Sequence, residues 1–294
     1  ATAAGKPVRR RSRDALPSPP MATYLDRIIA FHRERAANDV RSAAQLIEEC
    51  AALPPTRGFT AALRGADRLG VISEVKRRSP SKGDLFADLD PAALAASYEA
   101  GGASCLSVLT DGPHFGGSAA DLATARAATS LPVIRKDFTV SALDVLDARL
   151  MGADCVLLIA AALSDDELAE FGALAGAIGL DALVETHDEA EVERALATTS
   201  TGLIGVNQRD LVTFEVDQER AVRVAAAIPA DVVRVAESGV RGVDDAIALA
   251  AAGYDAVLVG EHLVTSGDPA AAIAALRVPR DPAGRVPRSS TAHR

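Results

Sequence analysis

From residue 71 onward the chain repeats one pattern: a short apolar run, a turn, then a longer amphipathic or alanine-rich stretch. The apolar runs fall at residues 71–75, 105–109, 132–135, 155–160, 182–185, 203–206, 232–236 and 256–259, eight in all. Their length and branched aliphatic content predict buried strands. The stretches between them, such as 91–101, 141–152, 165–179 and 243–253, have the length and punctuation of helices. Ser164 with Glu167 makes a capping-box signature, and Gly179 follows as a stop. Ser141 with Asp144, and Asp188 with Glu191, repeat the start signal; Gly101, Gly152 and Gly253 repeat the stop. Strands joined through a helix-length crossover run parallel.

Eight β/α units can lie in an open doubly wound sheet or close on themselves. The count of eight, and the lack of G-x-G-x-x-G after the first run, favour closure. The expected fold is therefore α/β, a (β/α)8 TIM barrel with an N-terminal helical extension over residues 22–69. In that extension Leu25, Ile28, Ile29 and Phe31 recur at helical spacing, and the helices they predict would cover the barrel or its mouth. The expected organisation is a basic, proline-rich disordered leader over 1–20, with Met21 as the natural start. One barrel domain over 21–278 follows, and then a disordered tail over 279–294.

Composition narrows the function more than the fold. Hydrophobic residues make up 49% of the chain and charged residues 24%, enough for a folded core. No run of roughly 18 apolar residues occurs, so no membrane-spanning helix is expected. The basic stretch at 6–13 is followed by Pro17, Pro19 and Pro20 rather than an apolar segment, which is no secretory signal. A net charge of −9 argues against nucleic-acid partners, and it requires a locally positive pocket for any anionic substrate. Cys50, Cys105 and Cys155 have neither disulfide parity nor C-x-x-C spacing and read as reduced thiols of a cytoplasmic protein. The oligomeric state stays open between monomer and homodimer.

In a barrel of this type, reactive side chains come from the C-terminal strand ends and the loops after them. Here those ends include Glu74-Val75-Lys76, Arg135-Lys136-Asp137-Phe138, Glu185-Thr186-His187, Asn207-Gln208-Arg209-Asp210, Glu237-Ser238-Gly239 and Gly260-Glu261-His262. Glu74 and Lys76 are two apart on a strand and so share a face. Lysine is scarce: Lys6, Lys76, Lys82 and Lys136 are the only four among 31 basic residues. Arginine does not release a proton near neutrality, whereas a lysine with a lowered pKa does, so lysines at the mouth point to proton transfer. Ser238-Gly239 and Gly260-Glu261 follow the last two strands, where such barrels bind phosphate on backbone amides. His114, His187 and His262 lack metal-ligand spacing; no metal and no cofactor is expected.

Several segments carry a family resemblance. They are Ser73-Glu74-Val75-Lys76-Arg77-Arg78-Ser79-Pro80-Ser81-Lys82-Gly83, Leu106-Ser107-Val108-Leu109-Thr110, Phe115-Gly116-Gly117-Ser118 and Arg135-Lys136-Asp137-Phe138. Further on come Leu183-Val184-Glu185, Gly205-Val206-Asn207-Gln208-Arg209-Asp210-Leu211 and Val235-Ala236-Glu237-Ser238-Gly239-Val240. From about residue 24 to residue 276 the chain resembles the indole-3-glycerol phosphate synthases. The resemblance implies closure of a phosphorylated, ring-opened ribulose joined to anthranilate into an indole, with loss of carbon dioxide and water and without a cofactor. It implies Lys136 as the general acid at the ketone oxygen, and Glu185, Glu74 and Lys76 as the groups handling the dehydration protons. By the same resemblance Asn207 and Ser79 orient substrate and Phe115 walls the anthranilate ring. Ser238, Gly239, Gly260, Glu261 and Arg209 hold the phosphate end, with Lys76 close by. Departures are small: His114 stands where an aromatic is common, Asp111 where glutamate is as frequent, and Glu261 places a negative charge at a phosphate loop.

Two other readings compete. A phosphoribosylanthranilate isomerase would want an acid–base pair, often Cys and Asp, at the first and a middle strand end, and the first strand here ends in Glu and Lys. A non-catalytic phosphate-binding barrel would lack a proton-transfer residue, and none is missing.

Overall fold

The computed structural model describes residues 23–79, 83–86, 89–210 and 213–280. The expected leader, Lys82, Leu211 and residues 281–294 of the expected tail lie outside the described residues. Three helices come first: α1 (Tyr24–Ala37), α2 (Ala43–Ala51) and α3 (Phe59–Leu63). The chain continues through β1 (Gly70–Val75), β2 (Arg78–Ser79), β3 (Gly83–Asp84), α4 (Pro91–Ala100), β4 (Cys105–Leu109), α5 (Gly112–Phe115) and α6 (Ala119–Ala127). Then come β5 (Val133–Lys136), α7 (Ala142–Leu150), β6 (Cys155–Ile159), α8 (Asp165–Ala177), β7 (Asp181–Thr186), α9 (Glu189–Thr198) and β8 (Leu203–Asn207). Last are α10 (Arg220–Val224), β9 (Val233–Glu237), α11 (Val243–Ala251), β10 (Ala256–Val259), α12 (Glu261–Thr265) and α13 (Pro269–Leu276).

Eight parallel strands close into a barrel in the order β1-β10-β9-β8-β7-β6-β5-β4, with β4 pairing back to β1. β2 and β3 form a separate antiparallel hairpin in the first βα loop. Strands of two residues are too short to show alternation, so the sequence pattern held no sign of it. The helix signals act where they were read: the Ser164 and Glu167 side chains cap reciprocally, Ser141 accepts from the Asp144 amide, and Asp188 accepts from that of Glu191. Gly179, at φ 77°, ends α8 in the left-handed conformation that favours glycine.

Alternation along the strands divides the core. Ile72, Ile134, Leu157, Leu183, Val233, Val235 and Leu258 meet inside the barrel. Val71, Val108, Val133, Val156, Val184 and Ala236 pack outward under the helices. Burial on both faces is what makes each barrel strand a continuous apolar run.

The N-terminal helices do three different jobs. On α3, Phe59 and Leu63 are fully buried among the barrel-interior residues, and the Phe59 carbonyl accepts from the thiol of Cys105, the first residue of β4. α3 therefore plugs the N-terminal end of the barrel. Phe59→Ala is expected to cost about 3–5 kcal/mol and leave kcat near that of the parent, since chemistry sits at the opposite strand ends. Thermal melts with parallel assays check this, and an unchanged melting temperature would refute the plug. α2 packs Leu46 and Cys50 against Leu146 of α7. α1 lies at the mouth, where Tyr24 meets Phe214 with ring centroids 5.3 Å apart and Arg33 pairs with Glu167 at 2.7 Å.

The expected apolar stripe on α1 is corrected in part. Ile28 is buried, but Phe31 is 43% exposed, and the second fully buried position is His32. A polar residue takes that position because Asp111 partners it. At the other terminus Pro279 bridges to Arg68, and Arg280 Nη2 donates to the buried Asp255 at 2.6 Å. The barrel thus holds the first two residues of the expected tail, because Asp255 needs a cation.

Candidate active site

Continuing the inward alternation past the apolar layers leads to polar side chains at the C-terminal strand ends. Glu74 follows Ile72 at a spacing of two, Lys136 follows Ile134, Glu185 follows Leu183, Asn207 follows Gly205 and Glu237 follows Val235. Glu74, Glu185, Asn207 and Glu237 are all buried. Lys136 is their centre: its Nζ lies 2.6 Å from Glu185 Oε2 and 3.1 Å from Glu237 Oε2. Asn207 Nδ2 donates to the other oxygen of Glu185 at 3.0 Å, which fixes that carboxylate's orientation. Glu74 pairs with Lys76 along the same face.

Burial by itself would push the Lys136 ammonium down, but the facing carboxylates of Glu185 and Glu237 outweigh it and its pKa is raised. This reverses the expectation of a lysine made labile by a lowered pKa: the free site keeps Lys136 as an ammonium, an acid in waiting. Burial raises the Glu185 carboxyl in turn, yet the ammonium beside it prevails and holds Glu185 down at about 2. Glu237 shares the same cation at longer range. There burial prevails, the charge of Glu185 adds to it, and Glu237 is pushed up to about 7. Two carboxylates around one lysine are thus driven apart, an arrangement that separates acid and base duties.

Two glycines make room for these carboxylates. A Cβ on Gly205 would collide with Glu237 Oε1, and one on Gly260 would sit 2.6 Å from Glu74 Oε1. Gly205 lies inside β8, where glycine marks such a close approach, and Gly260 directly follows β10. Beyond β9, Ser238 (φ 65°) and Gly239 (φ 74°) are both left-handed. For serine that is a strained conformation of the kind held at functional sites. Gln208 Nε2 donates to the Ser238 carbonyl at 2.8 Å and Gln218 Nε2 to that of Gly239 at 3.0 Å, so both carbonyls are tied down.

Two cavities meet at the cluster. One, about 450 Å³, is polar and lined by Ser238, Gly239, Arg241, Gly260, Glu261, His262 and Thr265. The other, about 150 Å³, is walled by Leu85, Leu109, Phe115, Phe138, Leu157, Ile159 and Phe214, with Ser79, Glu185 and Asn207 at its polar points. Glu74, Lys76, Lys136, Arg209, Ser238 and Glu261 border both. The structure therefore brings Glu74, Lys76, Ser79, Phe115, Lys136, Glu185, Asn207, Arg209, Ser238, Gly239, Gly260 and Glu261 into one mouth, whereas His187 lines neither cavity. Sequence reasoning named Glu237 and Phe138 at strand ends without giving them a role, and it missed Arg241 and Phe214. The alternation Val233, Val235, Glu237 turns the first of these inward; Arg241 and Phe214 lie in loops, where no periodicity exists.

A closed (β/α)8 barrel with a lysine–carboxylate centre between an aromatic-lined slot and a glycine-bordered polar one defines an enzyme of proton-transfer chemistry. The sequence model of the family Indole-3-glycerol phosphate synthase matches residues 25–276, and the chain belongs to that family. It is 54% identical over 256 residues to the indole-3-glycerol phosphate synthase of Streptomyces griseus, covering 86% of this chain and 94% of the relative. Its likeness to the Mycobacterium ulcerans synthase is 49% over 257 residues, covering 87% and 94%. Indole-3-glycerol phosphate synthase 2 of Streptomyces coelicolor is 52% identical over 237 residues, covering 81% and 91%. Among solved structures, a 3-hexulose-6-phosphate synthase shares the fold at a TM-score of 0.57 and 17% identity, covering 71% of this chain and 98% of that one. A thiamine phosphate pyrophosphorylase from Pyrococcus furiosus does so at 0.54 and 16%, covering 71% and 93%. The match favours the synthase over the isomerase reading.

Proposed function

We propose that the residues around Lys136 carry out indole-3-glycerol phosphate synthesis, with the substrate's aromatic ring in the apolar cavity and its phosphate in the polar one. The observation that supports this most is the ammonium at the junction of the two cavities. The substrate, 1-(2-carboxyphenylamino)-1-deoxyribulose 5-phosphate, carries an anthranilate ring at one end, a phosphate at the other and a ketone between.

In the first step the aryl carbon bearing the carboxylate bonds to the ketone carbon. The carbonyl electrons move to oxygen, which takes a proton from Lys136, and the ring nitrogen becomes an iminium. The bond to the carboxylate then breaks, its electron pair flows to that nitrogen, and carbon dioxide leaves as the ring regains aromaticity. The substrate thus supplies its own electron sink. In the last step the new hydroxyl departs as water with a proton from an acid, while a base takes a proton from the adjacent carbon and the indole double bond forms. Glu185, Glu74 and Lys76 border that space and handle these protons. Glu237, poised near neutrality and 3.1 Å from Lys136, restores the lysine's proton. Asn207 holds Glu185, Ser79 and Arg209 orient the substrate, and Phe115 walls the ring. The backbone at Ser238, Gly239, Gly260 and Glu261, with Lys76 nearby, takes the phosphate.

Supplying that substrate and following indole ultraviolet absorbance tests the proposal: product is expected, and its absence overturns it. Inorganic phosphate is expected to raise the apparent KM and leave kcat unchanged; a fall in kcat alone would move the phosphate end elsewhere. Among the described residues no helix is long and apolar enough to cross a membrane. A cytoplasmic location accords with three free, buried cysteines.

A further inference from the structure

Where α1 meets the loop after β4, two histidines converge on one carboxylate. Asp111 Oδ2 lies 2.8 Å from His32 Nε2 and 2.9 Å from His114 Nδ1. The three donor atoms lie within 4.8 Å of one another. The orientation of Asp111 is set by its own turn: Oδ1 accepts from the backbone amides of His114 at 2.7 Å and Phe115 at 3.3 Å, leaving Oδ2 to both imidazoles. A second carboxylate is in reserve, with Asp137 Oδ1 3.9 Å from His32 Nε2. His32 and Asp111 are buried, while the His114 side chain is 21% exposed. Asp111 also lines the apolar cavity, which gives the cluster an entry from the mouth.

Two neutral imidazoles and a carboxylate are a donor set of borderline-soft divalent ions rather than of magnesium or calcium. With metal–ligand bonds of about 2.0–2.2 Å, neighbouring ligand atoms of a tetrahedral site sit about 3.3–3.6 Å apart, so the two imidazole nitrogens, now 2.8 and 2.9 Å from Asp111 Oδ2, must each move outward by roughly 0.4–0.8 Å to admit an ion. Backbone amides that fix a ligating carboxylate are the outer support such sites use. We propose that His32, Asp111 and His114 form a transition-metal site of the zinc class, with its fourth position open to solvent from the cavity. Bound there, the ion clamps α1 to the loop that carries Phe115 and so sets the aromatic wall of the mouth. The expectation of no metal rested on local spacing, and His32 stands 79 residues from Asp111, beyond the reach of any spacing rule.

The test uses the full chain, stripped with a chelator and held at about pH 8, above the ordinary imidazole pKa of roughly 6.5. Titration with Co²⁺ is expected to give visible d–d absorption saturating at one ion per chain. Zn²⁺ at about a hundred times its Kd is expected to raise the melting temperature by about 5 °C or more, and Mg²⁺ is expected to do neither. His32→Ala and His114→Phe should each abolish both signals. His114 is only partly buried, so the second variant is expected to fold, and its melt without metal verifies that. A wild-type chain with neither signal, an equal response to Mg²⁺, or signals that survive in both variants would overturn the site and leave a hydrogen-bonded clasp.

Discussion

Lys136→Arg should lower kcat by on the order of 10²-fold or more and leave the melting temperature within a few degrees of the parent. The two results belong together because charge and proton are separable at this position. Arginine keeps a cation facing Glu185 and Glu237, so neither buried carboxylate loses its partner. The guanidinium, however, does not release a proton near neutrality, and the ketone oxygen then has no donor during ring closure. Lys136→Met is the contrasting variant. It strands two buried carboxylates beside each other, and loss of one partner of a buried ion pair costs about 3–5 kcal/mol. A fall in both kcat and melting temperature is expected for methionine, and in kcat alone for arginine. Steady-state kinetics and melts on the three proteins measure this. An arginine variant with near wild-type kcat would reduce Lys136 to an electrostatic group.

The barrel was legible because its strands are buried on both faces, so each is an uninterrupted apolar run framed by caps that act as read. The rim was legible where strand ends carry charge, as at Glu74, Lys136 and Glu185. What escaped had physical causes. Glu237 continues the inward alternation of Val233 and Val235, but that spacing alone does not say that its carboxylate meets Lys136. The direction of the Lys136 shift depends on two carboxylates from β7 and β9, which sequence cannot place around one nitrogen. His32 replaced Phe31 on the buried face of α1 because its partner, Asp111, comes from the loop after β4. Phe214 and Arg241 reach the mouth from loops. The direction of the Lys136 shift and the burial of His32 both rest on contacts between residues far apart in sequence, whereas the strands and caps are local patterns.

Gly205→Ala is expected to impair catalysis nearly as much as a change at Glu237, although Gly205 is apart from the substrate. Its bare position on β8 is the space that the Glu237 carboxylate occupies, and a methyl group there collides with Oε1. The carboxylate must swing toward the mouth, away from Lys136, with an expected loss in kcat of about 10- to 10²-fold and a smaller change in KM. The pH dependence identifies the cause. Glu237 is raised from 4.5 to about 7 in the folded chain. Between those values the folded state holds a proton that the unfolded state has released, so this group's contribution to stability is full below about 4.5 and lost as pH rises through about 7. Glu185, lowered to about 2, works the other way: its contribution is present above 4.5 and lost as pH falls toward 2. Glu237→Gln should therefore flatten the decline in melting temperature between about pH 4.5 and 7, and remove the loss of kcat above about pH 7 that follows from needing the protonated carboxyl. Gly205→Ala, which moves the carboxylate toward water, should keep that limb of the kcat profile but shift it to lower pH. Profiles of kcat and melting temperature for the two variants and the parent decide the matter. A Gly205→Ala enzyme with unchanged kcat and an unchanged limb would show that β8 yields to the methyl group and that Glu237 is positioned by Lys136 alone.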